Sequence, residues 1–181
     1  MPTVLKIIVF GSLALLGGQL AHMWLRSSAG LVGKAPIPRR LLFLAKFATA
    51  ISLLCVPSQM MLGDSGMRPV TAAVFLILWL GGTAVLTVAF RQLGANLRMG
   101  LPAEQTTLVT SGIYRFSRNP IYLGIFCLMA ASLVYAPLWL NLVSVLTAVI
   151  LHHRIVLAEE RFLADRFPEF ETYRKSVRRY F

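Results

Sequence analysis

Long apolar runs separated by short polar connections dominate this chain, and their lengths predict membrane-spanning helices. The runs at 4–25, 41–62 and 69–90 are each 22 residues long. At ~1.5 Å per residue, such a run forms a helix of roughly 33 Å, which is long enough to cross the hydrocarbon core of a bilayer. We therefore predict three spans in the first half of the chain.

The apolar stretch in the second half is interrupted by Ala136 and Pro137. It is too long for one span and short for two, so its pattern predicts a helical hairpin with arms at 120–135 and 138–158. The first arm is near or below the usual length of a span. The second arm should continue as one helix beyond the membrane.

The tail at 159–181 is predicted to hold a short amphipathic helix that begins at Pro168, with Phe170 and Tyr173 on one face. Such a helix can lie on a membrane surface or pack over a site. We expect 1–181 to be one all-α domain, a polytopic membrane helix bundle of about five spans in which the last two form a hairpin.

Composition supports this assignment and narrows the possible partners. The hydrophobic fraction is 57% and the mean hydropathy is +0.70, which is too apolar for a soluble globule. The net charge of +11 comes from residues at span edges and in the tail, where anionic lipid headgroups attract them, so we expect a bilayer partner and no nucleic acid. Cys55 and Cys127 lie in apolar runs without the spacing of metal ligands, and we predict no metal site.

The distribution of basic residues predicts the orientation in the membrane. Cytosolic connections carry an excess of Lys and Arg. These residues concentrate after the first run (Arg26, Lys34, Arg39, Arg40), after the third run (Arg91, Arg98, Arg115, Arg118) and in the tail (Arg154, Arg161, Arg166, Arg174, Lys175, Arg178, Arg179), whereas the other connections hold Asp64 and Arg68. We expect a multi-pass membrane protein whose N-terminus is outside and whose C-terminus is cytosolic.

The polar stretch at 107–124 stands out between the apolar blocks. Asn119 and Pro120 are typical of a helix start, with Asn at the N-cap and Pro at the first helical position. The free N–H groups of such a start favour a carboxylate or phosphate, and Arg115 and Arg118 add guanidinium groups. The alternative is a set of ordinary interface arginines.

A second polar motif follows the hairpin. Glu159 and Glu160 are adjacent carboxyl groups among basic residues, and His153 shares a helix face with Glu160. Glu160 could bind a ribose or pair with an arginine of the first motif. Tyr114 and Tyr122 of the first motif offer aromatic faces and hydroxyl groups. The alternative is a salt-bridge network and a belt of interface tyrosines with structural roles alone.

Together, the two motifs resemble the isoprenylcysteine carboxyl methyltransferase and phospholipid methyltransferase superfamily. The resemblance lies in the run LVTSGIYRFSRNPIYLG, an apolar hairpin, and then AEERFLADRFPEFETYRKSVRRY. It covers roughly 107–181, and the first three spans match in hydropathy. The matching positions are Gly112, Tyr114, Arg118, Asn119, Pro120, Tyr122, Gly124, Glu159, Glu160 and Leu163, with Phe167, Phe170 and Tyr173 approximating the tail pattern.

The resemblance implies S-adenosylmethionine as cofactor, bound by a cytosolic C-terminal cap, and a lipophilic methyl acceptor that enters from the bilayer. Methyl transfer needs the donor and the nucleophile held in line at about 3–3.5 Å. We assign catalytic roles to Arg118, Glu160 and His153, the last as a base for an amine acceptor. The cofactor-binding set is Gly112, Tyr114, Arg118, Asn119, Pro120, Tyr122, Gly124, Glu159 and Glu160.

Two other functions fit parts of the pattern. Membrane sterol reductases resemble the same C-terminal half and use NADPH, whose phosphate would also suit arginines. A non-catalytic scaffold would use Arg118 and Glu160 as structural ion pairs. Asn119 leaves the chemical class of the methyl acceptor open, because the isoprenylcysteine enzymes usually carry His at that position.

Overall fold

The protein is described by a computed structural model that covers residues 2–26, 35–63, 66–94 and 107–180. Lys34, Asp64 and Arg98, used above to predict the orientation, lie outside these ranges. The described residues form six α-helices and a 3₁₀ turn at Gly112–Arg115: α1 (Pro2–Arg26), α2 (Arg39–Leu62), α3 (Pro69–Leu93), α4 (Pro120–Tyr135), α5 (Trp139–Arg166) and α6 (Phe170–Ser176).

Four of these helices, α1, α2, α3 and α5, are long and apolar enough to cross a membrane, whereas α4 is a shorter apolar helix of 16 residues. The predicted all-α polytopic fold is therefore confirmed, with four helices of full spanning length and one short one. Large side chains on the outer faces of the long helices are strongly exposed, for example Ile7 (67%), Phe43 (70%) and Ile77 (71%). Contiguous apolar surface of this kind is suited to lipid.

The short helix α4 lies in the interior of the bundle. It packs most extensively against α3 and also contacts α2 and α5, and every residue of Pro120–Tyr135 is buried or half-buried. A helix that is apolar on all sides is stable in such a place. Its 16 residues span about 24 Å, less than the ~30 Å of hydrocarbon, so other parts of the chain must cover its ends.

Buried hydroxyl groups join the helices inside the apolar core. Trp79 Nε1 donates to Ser12 Oγ at 2.7 Å, which links α3 to α1. Ser52 and Ser132 lie 2.8 Å apart between their hydroxyl oxygens, which links α2 to α4. Without water nearby, each of these polar groups needs a protein partner, so the bonds fix which helix faces meet.

The tail helix α6 begins at Phe170, two residues later than predicted, because Pro168 and Glu169 form a turn after α5 ends. Its Phe170 and Tyr173 side chains are buried, on the face predicted to be apolar. α6 therefore packs down on the bundle.

The contact between α3 and α4 depends on Gly82 and Gly124. A Cβ atom on Gly82 would lie 2.8 Å from the Gly124 carbonyl oxygen, and one on Gly124 would lie 2.7 Å from Leu86 Cγ. Small residues let helix backbones approach this closely in a membrane. The pair sets the distance between α3 and the helix that carries the first polar motif.

We predict that Gly82→Ala destabilises the protein by about 1–3 kcal/mol, because the new methyl group meets backbone and cannot be accommodated by a side-chain rotation. Gly81→Ala is the matched control, since nothing lies within 4 Å of its added Cβ. Thermal unfolding in detergent measures both. Equal melting temperatures for the two variants would contradict the close packing.

Candidate functional site

The two polar motifs meet at the N-terminal end of α4. The helix begins at Pro120, and Asn119 occupies the N-cap position, but its side chain makes no bond to the helix N–H groups. Asn119 Nδ2 instead donates to Glu160 Oε1 at 2.9 Å and to the Arg179 carbonyl oxygen at 3.4 Å. The first N–H groups of α4 are therefore left without a cap from Asn119.

The carboxyl group of Glu160 is the centre of what we call the outer cluster, which consists of Arg118, Asn119, Glu160 and Arg179. Arg118 forms a fork to it, with Nε to Oε1 at 3.1 Å and Nη2 to Oε2 at 3.2 Å. Arg179 donates from Nε and Nη2 to Oε2, at 3.1 and 2.9 Å. The Arg118 and Glu160 side chains are 7% and 8% exposed, so these are desolvated, charge-assisted bonds.

Arg118 also holds the last turn of α6 and the backbone that follows it. Its Nη1 donates to the carbonyl oxygen of Arg174 at 3.1 Å and to that of Val177. The N–H of Arg118 itself donates to the Arg178 carbonyl oxygen at 3.0 Å. Arg118 thus holds residues 170–180, which we call the C-terminal segment, over the start of α4.

A tyrosine of α6 completes this attachment. Tyr173 donates its hydroxyl to the carbonyl oxygen of Tyr114 at 2.6 Å, in the 3₁₀ turn. Burial raises the pKa of Tyr173 to about 12, so the hydroxyl remains a donor at neutral pH. At the other end of the segment, the hydrogen bond to Glu160 raises the pKa of Arg179, which keeps its charge.

A second group of polar side chains, the inner cluster, includes residues on the neighbouring face of α5 and consists of Tyr114, Tyr122, His152 and Glu159. Tyr122 donates its hydroxyl to Glu159 Oε2 at 2.9 Å. The Tyr122 and His152 rings meet edge-on with centroids 5.7 Å apart. Lys46 of α2 interacts electrostatically with both Glu159 and His152. Four elements therefore contribute to one polar region.

Tyr114 is the unsatisfied member of the inner cluster. The residue is 6% exposed, and its hydroxyl has no hydrogen-bond partner within the described parts of the chain. Burial raises the pKa of Tyr114 far above its ordinary value, with further contributions from Tyr173 and Glu159, so the group is a neutral O–H donor. A buried hydroxyl without a partner costs about 1–3 kcal/mol, and a ligand that accepted a hydrogen bond from it would remove that cost.

The helix α5 supplies both clusters from two neighbouring faces. Residues seven apart are separated by about 700°, so they share a face within roughly 20°. His152 and Glu159 lie on one face, which we call the inner face of α5. His153 and Glu160 lie on the face toward the C-terminal segment, where His153 Nδ1 is 2.9 Å from the Tyr180 hydroxyl.

The two glycines predicted to bind cofactor have identifiable packing partners. Gly112 has φ +61°, and its added Cβ would lie 2.3 Å from Gln92 Oε1, which accepts the Ile113 N–H at 2.7 Å. Gly124 faces Leu86 of α3. The structure thus brings the predicted Arg, Asn, Glu and Tyr residues together in two clusters and places Gly124 at a helix contact.

Sequence reasoning missed several participants. His152 could have been found, because it is seven residues before Glu159, as His153 is before Glu160. Arg179 is one of several basic tail residues, and nothing in the pattern distinguishes it. Lys46 lies in an apolar run, and its proximity to α5 could not be found from the sequence because it depends on tertiary packing. Within the described residues, no three His, Cys, Asp or Glu side chains are grouped so that they could hold a metal ion.

Fold and site define a polytopic helical membrane protein with a polar site beneath its C-terminal segment. Residues 70–169, more than half of the chain, match the phospholipid methyltransferase family. The chain therefore belongs to the phospholipid methyltransferase family, and the resemblance identified from the two motifs is confirmed.

One curated relative gives a partial match. The chain is 30% identical over 79 residues to the cobalt-zinc-cadmium resistance protein CzcN of Cupriavidus metallidurans. This alignment covers 43% of the present chain and 37% of that protein. No solved structure matches the chain significantly.

We predict that Glu160→Gln releases the C-terminal segment, because Arg118 would keep a buried charge without its counter-charge, at a cost of about 3–5 kcal/mol. Hydrogen exchange should then show a large loss of protection at 170–180. Glu171→Gln is the matched control, since its pair with Arg174 is 48% and 52% exposed and contributes at most ~1 kcal/mol. Similar protection in both variants would contradict the role given to Glu160.

Proposed function

We propose that this protein is an S-adenosylmethionine-dependent methyltransferase that acts on a lipophilic acceptor at the cytosolic face of the membrane. Family membership supports methyl transfer to a lipid-like substrate. The observation that carries the finer proposal is the buried, unsatisfied Tyr114 hydroxyl, because it lies in a polar cluster inside an apolar bundle. Such a cluster is where a small polar cofactor would meet a lipid-borne substrate.

The residues present suit the functional groups of S-adenosylmethionine. The uncapped N–H groups at the start of α4 favour its carboxylate. The outer cluster combines two guanidinium groups with one carboxyl group, and this excess of positive charge favours the same anion. Glu159 suits the amino group or the ribose hydroxyls, and the Tyr114 hydroxyl can donate to a ribose or purine acceptor. The rings of Tyr114 and Tyr122 suit a sulfonium.

In this proposal the two clusters have different tasks. When bound, the cofactor supplies an electrophilic methyl group on sulfur. Arg118 and Glu160 hold the C-terminal segment closed over the start of α4 and exclude water from the site. Tyr114, Tyr122 and Glu159 orient the donor so that its methyl group points toward the lipid side. The hydrocarbon around the bundle lets a lipophilic acceptor approach sideways.

We further propose that the C-terminus is cytosolic and the N-terminus is outside, as the basic residues predict. This orientation places both clusters on the side where a water-soluble methyl donor is made. A nicotinamide-dependent reductase receives no support from the comparisons, which point to methyl transfer.

Calorimetry on the detergent-purified protein tests the cofactor. We expect saturable binding of S-adenosylmethionine and S-adenosylhomocysteine and no binding of NADPH, because the site offers partners for a carboxylate, an ammonium and a sulfonium. Binding of NADPH without either sulfur compound would move the assignment to the reductase.

The Tyr114→Phe variant tests the unsatisfied hydroxyl, because its expected effect on stability differs from its expected effect on ligand binding. Without ligand, loss of an unpartnered buried hydroxyl should leave stability unchanged or raise it, whereas binding of S-adenosylhomocysteine should weaken by about 2- to 10-fold. Tyr135→Phe is the control, because Tyr135 lies at the far end of α4. A Tyr114→Phe protein that is less stable but binds normally would show that the hydroxyl has a structural partner.

A further inference from the structure

We propose that His152, through its Nε2 atom, is the general base for an acceptor whose attacking atom carries a proton, such as an amine. This inference rests on the proposed function and extends it. It shifts the role predicted for His153 to the preceding residue, which lies on the inner face of α5.

The hydrogen bonding of the His152 ring fixes its tautomer. Nδ1 lies 2.8 Å from the carbonyl oxygen of Ala148, one turn earlier in α5. A carbonyl oxygen can only accept, so Nδ1 must carry the hydrogen. In the neutral ring, Nε2 is then the unprotonated nitrogen and presents its lone pair. The helix backbone thus holds the imidazole in the form that a general base requires.

The surroundings of His152 suit proton transfer in an apolar region. The residue is 6% exposed, and its ring meets that of Tyr122. The charged and titratable groups that face it come from each neighbouring element: Lys46 from α2, Tyr122 from α4 and Glu159 from α5 itself. Glu159 lies seven residues further along the same helix face, where it accepts the hydrogen bond of Tyr122.

The proton and charge balance of the step is complete. Nε2 first takes a proton from the protonated amine, which frees a lone pair on the acceptor nitrogen. The nitrogen then forms a bond to the methyl carbon while the carbon–sulfur bond breaks and its electron pair stays on sulfur, and the methylated nitrogen keeps the positive charge that the protonated amine brought. One positive charge leaves the sulfonium and one appears on the imidazole, so the net charge of the site does not change. This conservation matters in a medium of low dielectric constant, where an extra unpaired charge is costly.

His153 is differently placed. Its Nδ1 is 2.9 Å from the hydroxyl of Tyr180, and the two rings are 6.0 Å apart. It lies on the same face as Glu160, which is occupied by the C-terminal segment. Its contacts give it a role in packing that segment.

The test uses the full-length protein in vesicles that contain phosphatidylethanolamine as the amine probe, with labelled S-adenosylmethionine. We expect His152→Gln to lower the rate near neutral pH by about 100-fold or more, with recovery at alkaline pH as hydroxide and the free amine replace the base. Binding of S-adenosylhomocysteine should not change. The control is His22→Gln in α1, an exposed histidine outside both clusters.

A second readout does not need turnover. Nitrogen chemical shifts of histidines labelled with ¹⁵N distinguish the two neutral tautomers. The signal that disappears in His152→Gln should report hydrogen on Nδ1 in the wild-type protein. The opposite tautomer would overturn the proposal.

The kinetic outcomes separate this inference from the proposed function. If the wild-type protein transfers no methyl group to vesicles that contain phosphatidylethanolamine, that result would overturn this inference and, for amine acceptors, the proposed function. An active wild type with a His152→Gln rate within twofold would overturn the inference and leave the function intact. A His152→Gln rate that is lowered equally at every pH would indicate a structural role for His152. A loss near neutral pH with recovery at alkaline pH in His153→Gln would assign the base to His153. Either result contradicts the proposal.

Discussion

The buried carboxyl group of Glu160 is the interaction on which the site depends. It joins Arg118 and Arg179, which are 42 and 19 residues away in the chain, and it receives Asn119 as well. A carboxyl group with several charge-assisted donors is stable out of water, whereas any of its partners left unpaired would be costly. This mutual requirement holds the C-terminal segment against α4, and the N-terminal end of the short α4 is then covered by protein.

The fold was largely predictable because bilayer physics leaves few choices. Apolar length decides which segments span, and the break at Ala136 and Pro137 decides where the hairpin turns. The residues of the two motifs could also be predicted to approach each other. Their division into two clusters could not, because Glu159 and Glu160 are adjacent in sequence and differ by about 100° around α5. Assigning each to a neighbour requires the packing of α2 and of the C-terminal segment.

Gly124 and Asn119 illustrate a second reason why the structure differs from the sequence-based prediction. Glycine in a motif permits close approach, but the sequence does not say of what, and here the approaching group is α3. Asparagine before proline is a good N-cap, but a nearby carboxyl group competes for its amide. In both cases a local rule was outweighed by a partner from another part of the chain.

The repeated seven-residue spacing on α5 has a consequence for how this segment can vary. His152 with Glu159 and His153 with Glu160 keep their common faces because the intervening helix turns through nearly two whole turns. Substitutions between them that preserve the helix leave that rotation unchanged. Inserting or deleting one residue there would rotate the glutamates by about 100° relative to the histidines, so that Glu159 would no longer share a face with His152. Segment length, and not composition, is therefore the stricter constraint on this part of the chain.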